Sequence, residues 1–67
     1  MSKRRDRFET ALFAARWDAS VAEQNLARYR EERSTAPHFA TAHFLCGIQA
    51  IKDARASLTE AEHLAGR

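Results

Sequence analysis

Only one place in the chain breaks up helical sequence: Ser34, Thr35, Ala36 and Pro37, directly after the charged run Arg30, Glu31, Glu32, Arg33. Proline disfavours the helical conformation in the residue before it and suits the first turn of the helix that follows. Ala36 is therefore expected to be extended and Pro37 to open a second helix. On either side run strong helix formers, with Gly47 the one interior breaker. The spacing predicts helices over about 3–33 and about 37–65, each about 42 Å long, joined by a turn at 34–36. Ser2 suits an N-cap, and Gly66 sits where a left-handed C-terminal cap belongs.

The length supports one domain, 1–67, and little more. A chain this short buries only about 60% of its unfolded surface, so a roomy enzyme cleft is not expected and association is a common remedy. Fourteen alanines against 2 glycines and 1 proline make a helix-forming blend, which excludes all-β and α/β folds.

Heptad spacing organises both helices. Phe8, Ala15, Ala22 and Tyr29 recur at intervals of seven, with Leu12, Ala19 and Leu26 offset by four. In the second helix Ala40, Gly47, Ala54 and Ala61 form one row and Phe44, Ile51, Leu58 and Ala65 the other. Each stripe thus pairs a mostly small row with a larger one. Small residues at the contact let antiparallel backbones approach closely, which gives Gly47 a reason to stand inside a helix despite a cost of about 1 kcal/mol against alanine.

Other apolar residues fall off this stripe. Phe13, Trp17 and Val21 run at four-residue steps along the back of the first helix, and Phe39, Cys46, Ala50 and Leu64 form a second seam on the other, while Leu45 and Ile48 point away. Two helices cannot hide them all, and a contiguous exposed apolar patch is a liability in a monomer. The expected fold class is all-α: an antiparallel two-helix hairpin that dimerises into a four-helix bundle or packs on a helical partner. Phe13, Trp17, Val21, Phe39, Cys46 and Leu64 are the expected protein interface, with Arg16 and Arg28 as rim contacts.

Chemistry is sparsely supported. His43 and Cys46 stand three apart, but no second pair completes a tetrahedral metal site, so no metal and no cofactor is expected. Cys46 lacks an evident oxyanion hole, Ser57 and Thr59 lack activating partners, and the carboxylate pairs Glu31, Glu32 and Glu60, Glu62 lie in charged helical ends. His38 and His63 read as solvated. With no glycine-rich phosphate loop, the chain is expected not to be an enzyme.

The net charge is +2, with eight bases and six acids through Arg33. Lys3, Arg4, Arg5 and Arg7 at one end of the first helix and Arg28 near the other could touch phosphates, although acids interleave at ion-pair spacing, as in Arg5 with Glu9 and Arg28 with Glu32. The single cysteine, and the lack of an apolar run of about 18 residues, fit a cytoplasmic protein with no membrane contact. The layering at Leu12, Ala15, Ala22 and Leu26 resembles that of Rop, a plasmid regulator whose two-helix chains dimerise and bind paired RNA loops. In size the chain is also similar to the helical-hairpin co-chaperones of type III secretion. Both likenesses are of shape. The function expected first is a non-catalytic protein-interaction module, an adaptor, co-chaperone or small inhibitor. The alternatives are a Rop-like nucleic-acid-binding dimer and a structural subunit of a larger assembly.

Overall fold

The computed structural model describes residues 3–66 and consists of α1 (Lys3–Glu32) and α2 (Pro37–Ala65), packed side by side along their whole length. The hairpin measures 51 × 16 × 11 Å, two helices wide and one helix deep. Among the described residues no third element covers either broad face.

The reversal follows from the residues around Pro37. Ala36 is non-helical at φ −141°, ψ 69°, as the following proline demands, and Pro37 occupies the first turn of α2, where its missing N–H costs nothing. Backbone bonds close the end of α1: the Glu32 carbonyl accepts from the Thr35 and Ala36 amides at 3.1 and 2.7 Å, and the Tyr29 carbonyl accepts from Arg33. The Ala40 amide then donates to the Ala36 carbonyl, starting the next ladder. The first helix ends at Glu32, one residue before the expected boundary, because Arg33 already belongs to the turn.

Gly66 does not form the left-handed cap expected of it. Its φ is −72°, and its amide bonds to the Glu62 carbonyl at 2.9 Å, so the backbone winds on without reversing. The expected cap at Ser2 lies outside the described residues.

The core is built almost wholly of small side chains. Among the described residues its buried apolar members are seven alanines and Leu64, joined by Gly47, and no large side chain is completely enclosed. The small row is inside as its spacing predicts: Ala15 and Ala22 on α1, Ala40, Gly47, Ala54 and Ala61 on α2. The larger row behaves differently. Ala19, Phe44, Ile51, Leu58 and Ala65 are exposed, and Leu12 and Leu26 only half-buried.

Three further buried residues explain this. Ala11 precedes Ala15 by four, Ala50 precedes Ala54 by four, and Leu64 follows Ala61 by three. At 100° per residue all three lie about 40° to 60° from the small row in one rotational sense, whereas Phe44, Ile51 and Leu58 lie about 40° away in the other. The contact seam is therefore turned toward one flank on both helices. Leu64, expected on an outward seam, is consequently only 8% exposed and packs at the open end of the hairpin beside Phe8.

Candidate interaction surfaces

The exposed apolar residues fall into two groups. The first is the ridge on the back of α1, where Phe13 and Trp17 are 69% and 63% exposed. Their four-residue spacing puts them one turn apart on one side of the helix, and the rings stack with centroids 6.3 Å apart and planes inclined by 20°. Ala14 and Asp18 wall a shallow notch beside them, while Val21, the next step along the ridge, is half-buried. This pair contributes little to the hairpin's own packing.

The second group is the larger heptad row. Phe44, Ile51 and Leu58 are 39%, 37% and 47% exposed, at seven-residue intervals along α2. Leu12, Ala19 and Leu26 make the matching row on α1. On each helix the row is reached from the small one by the same rotation, and in an antiparallel pair equal rotations turn both rows to the same side of the hairpin. One broad apolar face results, with Tyr29 and Phe44 in contact near the turn end, 5.2 Å between ring centres. Periodicity alone places these residues in the hairpin interior; their part in a face depends on the direction in which the seam is turned, which spacing along one helix does not fix.

The remaining expected interface residues are dispersed. Phe39 is exposed at the start of α2, Cys46 is an exposed free thiol, and Leu64 is occupied within the hairpin. Leu45 is exposed on the back of α2.

The basic residues Lys3, Arg4, Arg5, Arg7 and Arg28 are all solvent-exposed. Arg7 lies 3.5 Å from Glu60 across the helix pair. Glu32, spaced to meet Arg28, reaches over the turn to α2 instead, with its Oε1 2.6 Å from His43 Nδ1. That separation is short enough for a strong hydrogen bond, but neither shielded atom has a partner in hydrogen-bonding direction, so the two groups are close without being aligned.

Among the described residues no three His, Cys, Asp or Glu side chains converge as metal ligands, and no helix is long and apolar enough to cross a membrane. The surface depressions are shallow and open, the apolar ones lying along Phe13 and Trp17 or between Phe8 and Leu64. What the surface offers chemically is apolar area with ordered aromatic anchors. No family model, curated protein or solved structure matches this chain.

Proposed function

We propose that the chain is a non-catalytic protein-interaction module that acts by burying an apolar face of its hairpin against itself or a helical partner. The observation that supports this reading is the inversion of the usual burial order. Alanines occupy the interior, while seven large apolar side chains, Phe13 and Trp17 foremost, stand exposed on helical scaffolds. Exposed aromatics gain about 1.5 to 3 kcal/mol each when buried, and a stacked pair on a rigid helix loses little rotamer freedom on docking. Phe13 and Trp17 have the form of anchors for a groove on a partner helix pair.

The test is a photo-cross-linking residue at Ser20, which is exposed one turn beyond Trp17, in the cells that make the protein. A discrete protein adduct that disappears with Phe13→Ala and Trp17→Ala supports the reading. Adducts removed by nuclease instead favour a nucleic-acid-binding regulator, and no discrete adduct would count against a partner on this ridge.

A further inference from the structure

Building on the interaction reading, we infer that the face carrying Leu12, Leu26, Phe44, Ile51 and Leu58 is covered by a second copy of this chain, forming a four-helix bundle.

Surface area is the first argument. The hairpin exposes 5481 Å², whereas a folded monomer of its mass, 7.6 kDa, would expose roughly 4,300 Å². The excess is about 1,200 Å², more than the roughly 800 Å² that each partner contributes to a standard stable interface. The hairpin is one helix deep, so stacking a second copy on one broad face supplies the missing layer.

The choice of face rests on the turned seam. Both helices lean toward the flank of Ala11, Ala50 and Leu64, and both leave the opposite flank open. That open flank carries the larger heptad row on α1 and on α2 together. A hairpin completing its own core would turn this row inward; one forming half of a bundle presents it to the next layer.

Self-complementarity identifies the occupant. The antiparallel register set by Gly47 against Leu26 and by Arg7 against Glu60 puts Leu12 level with Leu58, Ala19 with Ile51, and Leu26 near Phe44. The central layer is thus one small and one large residue, flanked by layers of two large ones. A two-fold axis running along the bundle sets Ala19 of each copy over Ile51 of the other, small against large, with leucine and phenylalanine filling the outer layers. Any other partner would have to supply that same order of sizes. The Phe13–Trp17 ridge, on the back of α1, stays outside this interface, so the dimer displays two copies of it.

Two measurements on the unaltered chain test the inference. Sedimentation equilibrium should give twice 7.6 kDa at tens of micromolar, dissociating on dilution. In an equal mixture of isotope-labelled and unlabelled chains, filtered nuclear Overhauser spectra should show intermolecular contacts from the Ile51 and Leu58 methyl groups and none from the Trp17 ring. A single-chain mass at every concentration overturns the inference, as does a dimer whose intermolecular contacts come from Phe13 and Trp17. A partner on the Phe13–Trp17 ridge is tested separately: no adduct at Ser20 removes that partner and leaves the dimer standing, whereas a single-chain mass together with no adduct overturns the interaction reading as well.

Discussion

A methyl group added at Gly47 would sit 3.0 Å from both Cγ and Cδ2 of Leu26. Ordinary carbon contacts lie at about 3.5 to 4.0 Å, so the two helices meet more closely here than an alanine permits without Leu26 moving. Cγ is the branch point of that side chain, and turning its terminal methyls does not relieve the contact.

Gly47→Ala sets two effects of opposite sign against each other. The helix gains about 1 kcal/mol from alanine's propensity, and the overpacked seam loses about 1 to 3 kcal/mol. The expected outcome is a net destabilisation of about 1 kcal/mol in denaturant unfolding. In a Leu26→Ala background the obstacle is gone, and the same substitution should stabilise by about 1 kcal/mol. A glycine-to-alanine effect of the same sign in both backgrounds would show that close approach is not what holds Gly47 in place.

Burial separates Leu64 from the aromatic ridge. Leu64→Ala should cost about 2 to 3 kcal/mol, since it removes the largest buried side chain of an alanine core. Phe13→Ala and Trp17→Ala remove residues with little contact to the rest of the hairpin and replace them with a better helix former. Each should change stability by less than about 0.5 kcal/mol, with far-ultraviolet dichroism unchanged. Large losses from the aromatic substitutions would mean that the ridge packs within the folded chain.

The Arg7–Glu60 pair should matter little. Its atoms are 3.5 Å apart and its side chains 67% and 52% exposed, so water and salt screen the attraction. Glu60→Gln should shift the unfolding free energy by no more than about 0.5 kcal/mol. A double-mutant cycle with Arg7→Gln, compared at low and high salt, measures the coupling directly.

Much of the hairpin was legible because its strongest signals are local. Pro37 fixes its own backbone and restrains Ala36, so the reversal could be located to within a residue. The small row follows from counting by sevens, and Gly47 is intelligible beside Ala40 and Ala54. The direction of the seam was hidden because periodicity fixes the angles between residues on a helix without fixing the angle at which that helix meets its neighbour. Ala19 and Ile51 therefore read as interior and stand outside, while Ala50 and Leu64 read as outward and are inside. Gly66 differs for a related reason: a glycine permits a left-handed cap without requiring one, and its amide finds the Glu62 carbonyl by continuing the helix.

Cys46 reports on the two sides of the hairpin. It is exposed, and at one residue before Gly47 it lies about 100° from the small row, in the sense opposite to Phe44 and Ile51. A thiol reagent should therefore label it in the folded protein at a rate within a few-fold of that in denaturant, with no need for unfolding. If a second copy seats on the Phe44–Ile51–Leu58 face, raising the protein concentration through the association range should leave that rate unchanged. Protection of Cys46 that grows with concentration would place the contact on the other face.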